Sequence, residues 1–233
     1  MQETVEQLGH YQLRQWDHLP KLGTDTKYLA RFATLRPRDR IWDLGCGVGV
    51  LLLLLAERGH TEYRSCALTL NGVEIEEESA ELAERNLREN RLKGTIFHVD
   101  LRDFRRWKSV PGGCDLVISN PPYFLPNTGM TAAGVRGTAR SETTCTLEDL
   151  CAAAAWLLQT GGRFALCHRP ERLAEVFRTL QQVGLEPKRL QFIQHTAAHP
   201  PSVVLIEAVR QGRQGLKVLP ALLLTSQTEE NTP

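Results

Sequence analysis

The alternation of apolar and polar positions along the chain lays out a regular succession of strands and helices. Arg40 to Leu44 begins a strand. It runs into Gly45-Cys46-Gly47-Val48-Gly49 and then a helix from about Val50 to Arg58. Ala67 to Ile75 is a second apolar run, ending in acids. From Ser79 to Lys93, Ala80, Ala83 and Leu87 share one face beside Leu82, the spacing of an amphipathic helix. Gly94 is its expected stop. Thr95 to Leu101 alternates like a third strand, and Asp115 to Ser119 reads as a buried fourth. Thr146 to Leu158 predicts a helix with Thr146 as N-cap and Asp149 in a capping-box position, ended by Gly161-Gly162. Arg163 to His168 is a fifth strand. Glu171 to Val183 is a helix stopped by Gly184. Arg189 to His195 and Ser202 to Val209 are a closing pair of strands. Residues 1–40 are polar and mixed. They predict a short strand or helix pair capping the sheet, with a turn at Lys21 to Asp25 and a helix from Thr26 to Leu35.

Strands alternating with helices imply an α/β fold with a doubly wound, largely parallel sheet. The last two strands have no helix between them and are expected to pair antiparallel. One domain is expected over residues 1–233, with 1–38 as an N-terminal cap and 211–233 as a C-terminal tail. Residues 125–145 form a long connection rich in Gly, Thr and Ala. Loops of that length are uncommon unless functional, and this one is placed as a substrate lid would be.

Composition adds limits. The chain has 233 residues, 42% hydrophobic and 24% charged, as in ordinary soluble globular proteins. The longest apolar run, Val50 to Ala56, is far short of a bilayer span. No basic-then-apolar leader is visible, so a cytoplasmic location is expected. None of the six cysteines forms a CxxC pair, which points to reduced thiols. The histidines show no HExxH spacing, and no metal site is expected. The net charge of +1 speaks against a generic nucleic-acid binder. Residues 74–90, however, carry seven acids against two arginines, which leaves a basic surplus elsewhere. Clusters at Arg36 to Arg40 and Arg102 to Lys108 are candidate contacts for a polyanion, or plain solvated faces.

The chemistry concentrates at the predicted carboxyl ends of the strands, where open α/β sheets bind ligands. Gly45, Gly47 and Gly49 give a GxGxG loop, not the GxGxxG of dinucleotide sites, so a dehydrogenase is disfavoured. Asp43 precedes the loop. Glu74 ends the second strand, where a carboxylate can accept two ribose hydroxyls. Asp100 lies near the end of the third, where it can accept an adenine amine. Glu74 also fits an acidic helix start, and Asp100 a strand-end cap. Together with the loop, the three acids make a nucleoside pocket. After the fourth strand comes Asn120-Pro121-Pro122-Tyr123-Phe124. The prolines force a stiff, extended exit from the sheet. A rigid amide beside an aromatic ring suits a flat substrate carrying an NH2 group. A Pro-rich turn with Tyr123 as a packing residue is the plainer alternative.

Asp43 to Gly49, Glu74, Asp100 and Asn120 to Tyr123 together resemble class I S-adenosylmethionine-dependent methyltransferases of the Asn-Pro-Pro-Tyr group, over about residues 20–210. The resemblance implies a seven-stranded Rossmann-like sheet with the last strand inserted antiparallel. It implies that the loop, with Gly45, Cys46, Gly47 and Gly49, holds the methionine part of the cofactor, Glu74 the ribose and Asp100 the adenine. Asn120 would meet both cofactor and target. Its Oδ1 and the Pro121 carbonyl would accept the hydrogens of the target amine, with Pro122 stiffening the turn and Tyr123 and Phe124 against the base. Members of the group methylate adenine N6, cytosine N4, guanine N2 or a glutamine side chain. Gly23-Thr24-Asp25, Phe124, Ala139-Arg140-Ser141-Glu142 and a short tail from Gly212 to Leu224 resemble the tRNA1(Val) adenine-N6 methyltransferase family, which modifies adenosine beside the anticodon. That likeness puts Thr24 and Asp25 near the cofactor and Arg140 near the lid or the RNA. The expected activity is methyl transfer to adenine N6 in tRNA or another RNA. The rivals are glutamine N5 or rRNA guanine N2 methylation, and a non-catalytic nucleotide- or RNA-binding module.

Overall fold

The computed structural model describes residues 2–19, 23–107, 113–121 and 145–224. An antiparallel hairpin, β1 (Glu3–Leu8) and β2 (Tyr11–Trp16), precedes α1 (Thr24–Phe32). Then come β3 (Arg40–Leu44), α2 (Val50–Glu62), β4 (Thr69–Glu74), α3 (Glu77–Glu89), β5 (Gly94–His98), a 3-10 helix (Leu101–Arg106) and β6 (Cys114–Ser119). The second half holds α4 (Leu147–Leu157), β7 (Leu158–His168), α5 (Leu173–Gln182), β8 (Leu185–Gln194), β9 (Val203–Arg210) and the short strands β10 (Lys217–Val218) and β11 (Leu222–Leu223).

The sheet order is β10-β8-β9-β7-β6-β3-β4-β5, with β11 also on β8. Among the described strands of this sheet, only β9 runs against its neighbours, β7 and β8. The chain steps outward from β3 through β4 to β5, then returns to place β6 on the other side of β3. That reversal opens a crevice at the carboxyl ends of β3 and β6.

Side-chain parity divides the core. Trp42, Leu44, Val117, Phe164 and Leu166 face α4, α5 and the 3-10 helix. Ile41, Leu116, Ile118, Ala165 and Cys167 face α1 and α2. Asp43 and Asn120 share the parity of Ile41 and Ile118, so they belong to the α1–α2 face. At the opposite edge, Arg163 donates to Asp39 Oδ1 at 2.7 Å and to Thr34 O at 2.7 Å. Glu207 accepts from Thr34 N and from Arg189. These pairs bind the segment after α1 to β7, β8 and β9.

The hairpin is fixed by α3. Asn86 Oδ1 accepts from Arg14 N at 3.0 Å, and Asn90 Oδ1 from Gln12 N at 2.8 Å. Their amide nitrogens return bonds to Arg14 O and Gln12 O. Two residues one helical turn apart thus mimic a neighbouring strand along β2.

Several expected boundaries move. The N-terminal segment is a β-hairpin plus a helix, and the hairpin packs on α2 and α3 through Leu8, Leu13, Val48, Leu53 and Leu82. The α3 helix ends before Gly94, which opens β5 instead. Gly94 faces Leu70 O so closely that an added Cβ would stand 1.6 Å away. Gly161-Gly162 lies inside β7, where the pairing with β6 shifts register, and α4 ends earlier, at Leu157. The capping box is as expected: Thr146 Oγ1 accepts from Asp149 N, and Asp149 accepts from Thr146 N. The third strand stops at His98, so Asp100 lies beyond it as the N-cap of the 3-10 helix.

Candidate active site

The glycine loop is built from backbone. Gly45, Gly47 and Gly49 have φ of +74°, +51° and +84°, which a side chain would strain. Gly45 N and Cys46 N both donate to Val73 O, at 2.9 and 3.0 Å, which folds the loop over β4. The strand beneath must be thin. A Cβ on Gly72 would stand 2.6 Å from Cys46 Sγ and 2.9 Å from Ile96 Cδ1. Cβ atoms on Gly45 or Gly47 would meet nothing within 4 Å, so those positions face open space.

Asp43 and Glu74 stand on the same face because Asp43 pairs with Gly72, two residues before Glu74. Glu74 Oε2 accepts from Gly47 N at 2.8 Å, and Oε1 accepts from Ile75 N and Glu76 N. Three amides therefore fix this carboxylate against the loop. Asp43 is 1% exposed, and its Oδ1 has no hydrogen-bond partner among the described residues. Burial, reinforced by the charge of Glu74, pushes the Asp43 carboxyl well above its ordinary range. Burial likewise pushes the Cys46 thiol well up, with Asp43 and Glu74 adding to it. A buried carboxylate with an unpartnered oxygen, under a loop open to solvent, suits a cationic ligand.

Asp100 is half-buried, and its carboxylate accepts from Arg102 N at 2.8 Å and from the Arg102 guanidinium. That hydrogen bonding, against a smaller effect of burial, holds its carboxyl below the usual value. Capping and an acceptor role are compatible, since an ionised carboxylate has lone pairs beyond those Arg102 uses.

Asn120 follows β6 directly, and Ser119 anchors that end: its Oγ donates to Leu44 O at 2.7 Å, tying the turn to the start of the glycine loop. Asn120 Nδ2 donates to Thr26 Oγ1 at 2.8 Å, and its Oδ1 accepts from the Cys167 thiol. The bond to Thr26 brings the first turn of α1, with Thr24 and Asp25, beside the crevice. Thr26, Ser119 and Cys167 are residues the sequence did not single out. Only Ser119 left a signal, as a polar residue closing an apolar strand. Pro121 is described; Pro122, Tyr123, Phe124, Arg140 and most of the 125–145 connection lie outside the described residues.

The two basic clusters separate. Arg36 and Arg38 precede β3 and Arg40 opens it, so this cluster lies at the amino ends of the strands, away from the crevice. Arg40 there pairs with Asp115 at 3.1 Å. Arg102, Arg105 and Arg106 follow the carboxyl end of β5 and are exposed. All six cysteines are free. Burial pushes the Cys114 and Cys145 thiols up to about 12. His195 and His199, four apart in the β8–β9 loop, meet edge to face at 5.7 Å. Among the described residues no group of three or more metal-ligating side chains is found, and no helix is long and apolar enough to cross a membrane.

Comparison with known proteins places this architecture. A Dickeya chrysanthemi chain named tRNA1(Val) (adenine(37)-N6)-methyltransferase is 31% identical over 209 residues, 88% of this chain and 79% of that one. A Pectobacterium carotovorum chain of the same name is 35% identical over 70% of this chain and 62% of its own length. Two solved structures share the fold. A methyltransferase from Pyrococcus furiosus is 18% identical with a TM-score of 0.60, covering 88% of this chain and 91% of its own. The T. thermophilus 16S rRNA N2 methyltransferase, in complex with AdoMet and guanosine, is 19% identical with a TM-score of 0.59, covering 90% of this chain and 50% of its own. Residues 21–188 match the family described as methyltransferase small domain, and the chain belongs to that family.

Proposed function

We propose that this chain transfers a methyl group from S-adenosylmethionine to adenine N6 in tRNA, acting in the cytoplasm. The observation that carries the reading is the meeting of Asn120, at the end of β6, with the glycine loop that follows β3, the two joined by the Ser119–Leu44 hydrogen bond. The name shared by its relatives supplies the substrate class.

The residues present fit the cofactor. The unpartnered Asp43 oxygen suits its positive charge, and the open faces of Gly45 and Gly47 leave room for a ligand on the loop. Gly45, Cys46, Gly47 and Gly49, with Thr24 and Asp25, would hold the methionine part. Glu74 keeps a lone pair on Oε2 for a ribose hydroxyl, and Asp100 accepts the adenine amine. When bound, S-adenosylmethionine supplies a methyl group on a positively charged sulfur.

The chain's own contribution is orientation. Asn120 Oδ1 and the Pro121 carbonyl accept hydrogen bonds from the two N–H groups of the target amine. Electron density then shifts onto nitrogen, whose lone pair otherwise delocalises into the ring. The amine would gain the N–C bond as the sulfonium S–C bond breaks and then lose one proton to solvent. Pro122 stiffens the turn, Tyr123 and Phe124 pack on the base, and Arg140 contacts the RNA or closes the lid. Holding the amine in line supplies most of the remaining rate. A base taken from an unpaired loop enters at least cost. Arg102, Arg105 and Arg106 meet the RNA backbone.

The test is methyl transfer from labelled S-adenosylmethionine to unmodified tRNA, followed by digestion to nucleosides and mass identification. N6-methyladenosine is the expected product. Label that survives ribonuclease but is released by protease would move the acceptor to a protein glutamine and overturn the reading.

A further inference from the structure

The Asn120 amide is gripped from two elements that the sequence does not connect to it. Thr26, in the first turn of α1, is 9% exposed and takes the Nδ2 hydrogen at 2.8 Å. Cys167, near the end of β7, is 0% exposed and gives its S–H to Oδ1. The register explains the second contact. Ser119 pairs with Leu166, so the next residues, Asn120 and Cys167, stand side by side at the carboxyl edge. The first contact comes from the α1 face, to which both side chains point.

We propose that Thr26 and Cys167 are positioning residues that clamp the plane of the Asn120 amide for the transfer step. This rests on the reading of Asn120 as acceptor for the target amine. An asparagine side chain at a strand end rotates about two bonds. Two hydrogen bonds at opposite corners of the amide remove that freedom before substrate arrives. The donors are matched to the task. A thiol is a weak donor, so it locates Oδ1 while leaving most of the oxygen's acceptor strength, and its second lone pair, for the substrate N–H. Threonine takes one of the two amide hydrogens, which would otherwise lie half-buried and unpaired. Neither residue touches the reacting atoms, so their effect falls on rate and not on ligand affinity.

The experiment compares full-length wild type, Thr26→Val, Thr26→Ser, Cys167→Ala and Asn120→Ala. It reads kcat and KM with unmodified tRNA, Kd for S-adenosylmethionine by calorimetry, and Tm. Thr26→Val keeps the shape and removes the acceptor. Its kcat is expected to fall about tenfold, the worth of one misplaced hydrogen bond at the barrier. KM and Kd should stay within about twofold, and Thr26→Ser, which restores the hydroxyl, should recover most of the rate. A Kd that rises in step with the fall in kcat would put Thr26 in the cofactor pocket and overturn the clamp. So would an unchanged kcat in Thr26→Val. If Thr26→Val loses cooperative melting, Cys167→Ala reads the same clamp from the other side: a lower kcat at unchanged KM supports it, and a wild-type kcat overturns it. Asn120→Ala separates the two levels. Undiminished product from Asn120→Ala overturns the functional reading itself, whereas an Asn120→Ala reduced at least a hundredfold beside a fully active Thr26→Val overturns the clamp alone.

Discussion

Asp43→Asn should stabilise the cofactor-free protein while weakening its grip on S-adenosylmethionine. Asp43 is 1% exposed, one of its oxygens has no partner among the described residues, and Glu74 shares its side of the sheet. Burial first, and the Glu74 charge second, raise its carboxyl above the unfolded value. The sign follows. A carboxyl with a raised folded-state pKa contributes most to stability below its unfolded pKa of about 3.9, and that contribution is lost as pH rises through the folded value. Above the unfolded value the buried carboxyl is therefore a cost that the fold carries. The neutral amide escapes the penalty that burial and the Glu74 charge place on ionisation, a difference of about 1–3 kcal/mol. At about 2–4 °C per kcal/mol for a chain of this size, the neutral amide should raise Tm by roughly 2–12 °C. Differential scanning calorimetry between pH 4 and 8.5, without cofactor, measures it. The gap between variant and wild type should be smallest at pH 4 and widen upward. Saturating S-adenosylmethionine should stabilise wild type more than the variant, because the cation relieves the ionised carboxylate. An Asp43→Asn protein that melts lower than wild type at pH 8, or a gap that does not change with pH, would refute the reasoning.

Three further outcomes follow from other contacts. Gly72→Ala puts a methyl 2.6 Å from Cys46 Sγ, so the loop must shift; cofactor Kd by calorimetry should rise at least tenfold, with overpacking costing about 1–3 kcal/mol in Tm-derived stability. Asn86→Ala removes the bonds to Arg14 and to Val48 O, the latter 2.9 Å long; hydrogen exchange should quicken in β2 and in the glycine loop together, while β7 stays protected. Asp39→Ala leaves the 3% exposed Arg163 guanidinium without its carboxylate, and urea unfolding should show a loss of about 3–5 kcal/mol.

The sheet was legible because its strands are short apolar runs separated by helical spacing, and because β8 and β9 follow one another with no helix between them. The capping box at Thr146 and Asp149 was legible because it is a contact within one turn. The glycine loop and Glu74 could be placed together because both sit at ends of adjacent parallel strands. What escaped depended on contacts distant in sequence. Thr26, Asn120 and Cys167 lie on three separate elements, and no periodicity links them. Asp100 was placed in a strand because Val99 and Leu101 continue the alternation of Thr95 to His98, whereas its own side chain captures Arg102 N and starts a new turn. Gly94 and Gly161-Gly162 looked like helix stops, yet each serves a strand: one allows close approach to Leu70 O, the other lies where β7 shifts register. Asn86 and Asn90, which dock β2 onto α3, also escaped, because their partners lie more than seventy residues earlier in the chain.

The measurement closest to the central claim is nucleoside mass analysis of unmodified tRNA after incubation with S-adenosylmethionine and either wild-type protein or Asn120→Ala, both checked for cofactor binding. N6-methyladenosine from wild type, and a loss of at least a hundredfold in Asn120→Ala with the cofactor still bound, is the predicted result. Equal N6-methyladenosine from both proteins, or none from wild type with cofactor bound, would contradict it.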